Sequence, residues 1–191
     1  MDSVKGQTVD VTAIIGYDEY RDLPHIKDCI RKSKDSIVPL TSPKTESKWF
    51  YNIYCNQLRD WVVDGWFFFL DDDDFLVDNT AIERISKYLT DPSKVVICQM
   101  QRDGRHGKIK KPTDIEIGRK TIRRGMVGMP CIFVHSSLKD SVMFNDTEQA
   151  DYDYITEMVA KHGAIYTHEV VVHAPHRSRG QAILEYQHRN T

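Results

Sequence analysis

No apolar run in the chain approaches the roughly eighteen residues needed to cross a bilayer. The opening MDSVKGQTVD has neither the apolar core of a secretion signal nor the basic amphipathic pattern of a presequence. A cytoplasmic protein is the expectation. Cysteine is scarce: Cys29, Cys55, Cys98 and Cys131 form no C-x-x-C pair, which argues against a zinc knuckle or a disulfide scaffold. Each lies in an apolar stretch and reads as a reduced thiol packed as a small hydrophobe. An excess of one charge is missing too, since 26 Lys and Arg face 28 Asp and Glu for a formal charge of -2. The chain therefore has no global field of the kind a general nucleic-acid binder uses, and any basic surface is local. Neither a G-x-x-x-x-G-K loop nor a G-x-G-x-x-G fingerprint follows the first strand, which removes the strongest cues for P-loop phosphoryl transfer and dinucleotide binding. Fixed-period repeats and low-complexity tracts are also absent, against a solenoid or a disordered chain.

What is present is 191 residues, 40% apolar and 28% charged, enough for one well-buried domain. VDVTAIIGY (9–17) predicts a strand, and Leu23, Ile26 and Ile30 predict a helix after it. SIVPL (36–40) predicts a second strand. In WFYNIYCNQLRDWVVDG, the spacing of Tyr51, Tyr54, Cys55, Leu58 and Val62 predicts one buried helix face, with Gly65 as the stop. WFFFL (66–70) predicts a strand apolar on both faces, suited to the middle of a covered sheet, and it runs straight into four aspartates. Thr80 and Glu83 have capping-box spacing ahead of a helix carrying Ile82, Ile85 and Leu89. VVICQM (95–100), CIFVH (131–135) and IYTHEVVVHA (165–174) read as strands, and a helix ends at Gly163. The stretch 101–124, with nine Lys or Arg against three Asp or Glu, reads as loops and short strands. The alternation predicts an α/β sandwich with a mainly parallel or mixed sheet, in which ligands gather at the carboxyl ends of strands.

Four adjacent carboxylates at 71–74 raise one another's pKa unless a cation neutralises them, and a divalent ion does so most directly. Alternation past the strand sends Asp71 and Asp73 to one side and Asp72 and Asp74 to the other. A hard-metal site would use one such pair, with phosphate oxygens completing the shell. A solvated acidic turn with a helix-capping aspartate is the structural alternative. In NDTEQADYDYI, a helix starting near Thr147 puts Asp151 on an inward stripe with Ile155 and Met158, while Asp153 shares the wet face with Glu157. Asp151 is thus the anomalous acid, although a helix dipole also favours a first-turn aspartate. Arg102 follows VVICQM directly and is the cation of its stretch best placed for a diphosphate. Arg177 and Arg179 on the tail are alternative phosphate contacts, and Lys108, Lys110 and Lys111 suit an anionic acceptor.

NIYCNQLRD followed by WFFFLDDDDFL, with later acid and histidine elements in that order, resembles the nucleotide-sugar-dependent glycosyltransferases of the GT-A fold, particularly the family 2-like group, over most of the chain. The resemblance implies a compact GT-A-like, Rossmann-like mixed sheet flanked by helices, with residues 1–175 a single catalytic domain and 176–191 a polar tail able to close over the donor. It implies an Asp-x-Asp motif at Asp71, Asp72 and Asp73. There Asp71 and Asp73 face Mn2+ or Mg2+, and Asp71 and Asp72 serve the donor. It further implies His173 as a metal ligand, with His176 as runner-up. Asp151 is implied as the general base of an inverting transfer, with Glu148 and Asp146 in reserve. Gly16 and Tyr17 fall where relatives contact the nucleotide base. Gly128, with Gly125 before it, falls where they line the donor-sugar or acceptor pocket. Thr41 and Ser42 stand where many relatives carry a base-binding acid, a departure that leaves the nucleotide open.

The implied partners are a nucleoside diphosphate sugar and a carbohydrate or glycan acceptor, an anionic one suiting the lysines. His135 is expected to be structural or to face the acceptor. A retaining transfer could use the same fold and motif. Metal-dependent nucleotidyl transfer and a nonenzymatic polyanion-binding module over 101–124 are the alternatives from other classes.

Overall fold

In the computed structural model, which describes residues 2–30, 35–41, 48–104 and 107–175, a one-turn helix α1 (Asp2–Lys5) precedes strand β1 (Ile14–Tyr17). Helix α2 (Leu23–Ile30) and strand β2 (Ser36–Pro39) follow, and β1 and β2 pair in parallel as a small sheet of their own. The predicted first strand is thus confined to its β-branched end. Helix α3 (Phe50–Asp60) comes next, then β3 (Trp66–Phe67), β4 (Phe75–Leu76) and helix α4 (Ala81–Ser86). The second half comprises β5 (Val95–Gly104), β6 (Gly107–Lys111), α5 (Asp114–Arg119), β7 (Ile132–His135), α6 (Ala150–His162) and β8 (Ala164–Ala174).

The larger sheet has the order β3-β7-β5-β8-β4, with β6 paired to the far end of β5. Only β5 and β8 run parallel; the other pairs are antiparallel, so the sheet is mixed and flanked by helices, as expected. Its two faces carry two cores. Val95, Ile97, Ile132 and Val134 pack under Tyr154, Ile155 and Met158 of α6, whereas Val96, Cys98, Phe133 and Val171 pack with Leu76, Ala81 and Ile85 on the α4 side. Alternation along strands covered on both faces explains why they read as nearly continuous apolar runs.

WFFFL divides in the same way. Phe67 and Phe69 join the α6 side, while Trp66, Phe68 and Leu70 join the other, where Phe68 stacks on Phe133 at 4.6 Å. The two-faced apolarity is therefore real, but the ladder covers only Trp66 and Phe67, at one end of the sheet order and not in its middle.

Three further expectations are corrected. Thr80 makes no capping bond to α4. Its hydroxyl and N–H both donate to Asp78, which also accepts from Arg84, while Glu83 accepts from Thr8. The buried residues of α3 are Asn52 and Arg59, and Tyr51, read as part of an inward face, is 43% exposed. Within 101–124, β5 and β6 form a long hairpin and α5 is a helix. Its capping box joins Thr113 to Glu116, a spacing present in PTDIE. Cys98 and Cys131 are buried and Cys55 half-buried, all as free thiols whose pKa burial raises. The side chain of Cys29 lies outside the described residues.

Candidate active site

The aspartates after Leu70 leave the extended conformation at once. The Asp74 N–H donates to the Asp71 carbonyl at 3.1 Å, closing a turn that returns the chain into β4. This turn brings three acids, Asp71, Asp73 and Asp74, to a cleft of about 360 Å³ that Arg102, Lys111, Gly128 and Asp151 also line. Simple alternation would have separated Asp74 from Asp71; Asp72, which is exposed, does not reach the lining. Asp71 keeps solvent contact, yet the protein around it, then Asp151, Asp73 and Asp72, push its pKa up to about 6. Asp74 is pushed up to about 7 by burial and then by Asp71 and Asp73, against the opposing pull of Arg102. Charge of one sign is thus concentrated beyond what Arg102 offsets.

Asp151 enters from the first turn of α6, which begins at Ala150 and not at Thr147. It shares the stripe of the fully buried Ile155 and Met158, as expected. Burial raises its pKa, while the backbone N–H of Met129 donates to the carboxylate and opposes the rise. Asp153 takes no part in the lining and accepts from Asn145 at 3.1 Å.

The polar stripe of α3 holds the segment that leads into α6. Asn52, Asn56 and Arg59, at spacings of four and three, share one helix face. Asn52 donates to the Thr147 carbonyl, Asn56 both donates to and accepts from the Phe144 backbone, and Arg59 donates to the Val142 carbonyl. Phe144 then stacks on Tyr154 of α6 at 4.0 Å. A segment without regular structure is so fixed by side chains that satisfy its backbone groups.

The same helix carries Tyr51, a site neighbour that sequence reasoning assigned to the core. Its pKa is raised by burial, then by Asp151, Glu148 and Asp71, which places the phenol beside the acids. Glu148 is thus near the site, outside the cleft lining. Farther along α3, the Tyr54 hydroxyl donates to Asp18 at 2.7 Å, and the Gln57 amide both donates to and accepts from the Thr41 backbone. The helix therefore ties the ends of β1 and β2 to the acidic cleft.

Pairing register sorts the basic residues. Met100 lies opposite Lys111 and Arg102 opposite Ile109, on the face whose Met100, Arg102 and Lys111 line the cleft. Lys108 and Lys110 lie on the reverse face with Gln101 and Asp103, and Lys110 pairs with Asp114 at 3.5 Å. Of the three lysines expected at the acceptor, only Lys111 reaches the site.

His173 is also on the reverse face. Its Nε2 lies 3.1 Å from Asp103 Oδ1, and its ring stacks on Phe75 at 4.8 Å. It is not brought to Asp71 or Asp73, and among the described residues no group of three or more His, Cys, Asp or Glu is set to hold a metal. Gly16, Tyr17 and Thr41 sit at the end of the small sheet and do not line the cleft. A Cβ on Gly16 would come within 2.4 Å of Leu40 Cδ1, so close packing already accounts for that glycine. His135 pairs across from Trp66 and bonds Ser137, a structural role. Ser42, His176, Arg177, Arg179 and the tail 176–191 lie outside the described residues.

No protein-family model and no curated protein matches the chain. Among solved structures, the chain is similar to the crystal structure of S. aureus TarS 1-349, with a TM-score of 0.66, 11% identity, and coverage of 91% of this chain and 55% of that one. The complex of the same protein with UDP-GlcNAc aligns with a TM-score of 0.64 at 11% identity, over 93% of this chain and 54% of that one. The fold is shared, and the chain spans about half the length of these structures. No helix among the described residues is long and apolar enough to cross a membrane.

Proposed function

We propose that the protein transfers a glycosyl group from a nucleoside diphosphate sugar to an acceptor hydroxyl. The observation that carries this reading is the meeting of Asp71, Asp73 and Asp151 in one cleft, on a fold shared with a protein that binds UDP-GlcNAc. Asp151 is the general base of an inverting transfer: partly buried, raised in pKa and held by the Met129 N–H, it is suited to take the acceptor proton as the hydroxyl attacks the anomeric carbon. Arg102 faces the diphosphate, Gly128 lines the sugar or acceptor side, and Gly16, Tyr17 and Thr41 receive the nucleotide. Arg177 completes the donor contacts in this reading, and Asp72, outside the lining, takes no part.

The donor set fits a hard divalent cation. Carboxylate oxygens dominate it, and the raised pKa values of Asp71 and Asp74 mark negative charge that Arg102 leaves uncompensated. Asp71 and Asp73 would hold Mn2+ or Mg2+, with phosphate oxygens completing the shell; His173 would join only by giving up Asp103. When bound, such an ion offsets charge developing on the leaving diphosphate.

The test is a screen of nucleotide sugars for metal-dependent binding, hydrolysis and transfer, run beside Asp71→Ala and Asp73→Ala. Selectivity for one donor, lost in either variant, supports the reading. A folded protein that binds no donor overturns it, and pyrophosphate release from a nucleoside triphosphate without a sugar donor would indicate nucleotidyl transfer instead.

A further inference from the structure

The segment 120–131, between α5 and β7, builds one wall of the cleft. Gly125, Val127, Gly128, Met129 and Pro130 all belong to the lining, and the Met129 N–H donates to Asp151. Apart from a single turn at Met129–Cys131 the segment has no regular structure, so contacts with its neighbours must hold it. Its two ends are anchored in the protein: Arg123 donates to the buried Glu116, and Met129 lies in the core under α6, with Val127 packed against it. Between them the Met126 N–H donates to the Arg123 carbonyl at 3.0 Å, closing a turn with Arg124 and Gly125 at its tip. Gly125 has φ +74, the left-handed value that the third residue of such a turn takes, although a Cβ there would meet nothing within 4 Å. Backbone conformation, and not space, is what this glycine supplies.

The tip is tied to β6 by Lys111, whose Nζ donates to the Gly125 carbonyl at 2.7 Å. Lys111 is a firm post. Its backbone pairs with Met100 of β5, its carbonyl accepts from the Cys131 thiol at 3.4 Å, and the next carbonyl, that of Pro112, accepts from the buried Gln99 at 2.8 Å. The ammonium shares the cleft lining with Asp71, Asp73, Asp74 and Asp151, yet among the described residues it forms an ion pair with none of them and holds a neutral carbonyl. A hydrogen bond from a charged donor is stronger than one between neutral groups, so this single contact can order the turn.

Resting on the glycosyl-transfer reading above, we propose that Lys111 is a positioning residue: by holding the Gly125 carbonyl it keeps the 125–130 wall seated, so that the Met129 N–H stays on Asp151 and Asp151 stays aimed at the attacking hydroxyl. The ammonium thereby serves the protein's own backbone and not an acceptor. Lys108, exposed on the reverse face of the β5-β6 hairpin, takes no part.

The test compares the full chain with Lys111→Met, Lys111→Arg and Lys108→Gln in two measurements. The first is amide hydrogen exchange without any ligand. In Lys111→Met, exchange over 126–129 is expected to quicken about tenfold, with β5 and α6 unchanged. Lys111→Arg, which keeps a charged donor, should return it to within about threefold of the unaltered protein, and Lys108→Gln should leave it alone. The second is binding and hydrolysis of UDP-GlcNAc with Mn2+ present. Lys111→Met should lower kcat about tenfold or more while the donor Kd stays within about threefold, and Lys111→Arg should recover most of the rate. Unaltered exchange over 126–129, or faster exchange with kcat kept, overturns the proposal. So does weaker UDP-GlcNAc binding with kcat kept, which assigns Lys111 to the diphosphate, or faster exchange throughout the chain, which makes its role one of general stability. Failure of the underlying reading shows separately, as absence of nucleotide-sugar binding by the unaltered protein, and the exchange measurement still decides whether Lys111 seats the wall.

Discussion

Asp151 on α6 and Asp71 at the end of WFFFL line one cleft, and the charge of Asp151 helps to raise the pKa of Asp71. Elements from opposite halves of the chain thus share one electrostatic site.

Asp151→Asn keeps an oxygen that can accept from Met129, so the α6 terminus stays in place while the base is lost. Transfer is expected to fall by about 10²–10⁴ with donor binding retained. In the unaltered protein the base must be ionised, so activity should decline as pH falls through the raised pKa of Asp151, earlier than for an ordinary carboxylate. Near-normal transfer by the variant sinks the assignment.

Burial and the neighbouring aspartates push Asp71 up to about 6 and Asp74 up to about 7 in the folded state, from an ordinary value of 3.8. The folded form binds these protons more tightly than the unfolded chain. Their contribution to stability is therefore most favourable at low pH and is lost as pH rises through the window from about 4 to 7. Without divalent ion, Asp74→Asn should raise the melting temperature relative to the unaltered protein at pH 7.5 and lose that advantage near pH 4. Mn2+ or Mg2+ should narrow the gap at pH 7.5. A gap independent of pH would contradict the charge crowding.

Because His173 is occupied by Asp103 and Phe75, His173→Gln should leave Mn2+ affinity within about twofold, whereas Asp71→Ala and Asp73→Ala should each weaken it at least tenfold. Calorimetric metal titration decides this. A loss in His173→Gln matching that in Asp71→Ala would show that the ring leaves Asp103 to join the ion.

Arg59 is 2% exposed and donates to the Val142 carbonyl at 2.5 Å. Arg59→Met keeps much of the side-chain length but leaves that carbonyl without its donor. A loss of about 2–4 kcal/mol in urea unfolding is expected. Since α3 also orders the segment before Asp151, any folded fraction should show a lower kcat more than a changed donor KM. An unaltered stability would mean that the polar stripe does not hold that segment.

Much of the fold was readable because β5, β7, β8 and α6 have strong periodicity and their burial follows it. Reading failed where side-chain polarity and backbone demand diverged. Asn52 and Arg59 look like surface residues of an amphipathic helix, but they are buried because the 142–147 backbone needs partners that no strand supplies. Thr80-x-x-Glu83 and Thr113-x-x-Glu116 are equivalent as spacings, and only the second caps, because Asp78 takes the Thr80 hydroxyl and N–H. The capped α5 could have been found from that spacing, had the basic composition around it not suggested a loop.

By itself, the sequence determined the two-faced strands, the acidic run after a buried strand and the inward stripe of Asp151, because these depend on local periods of two and 3.6 residues. Tertiary structure alone decided the membership of the site. A turn brought in Asp74, strand register turned Lys111 inward and Lys108 outward, and β8 pairing placed His173 against Asp103 and Phe75. Those outcomes depend on which backbone groups meet across the sheet, a property of pairing that no single segment carries.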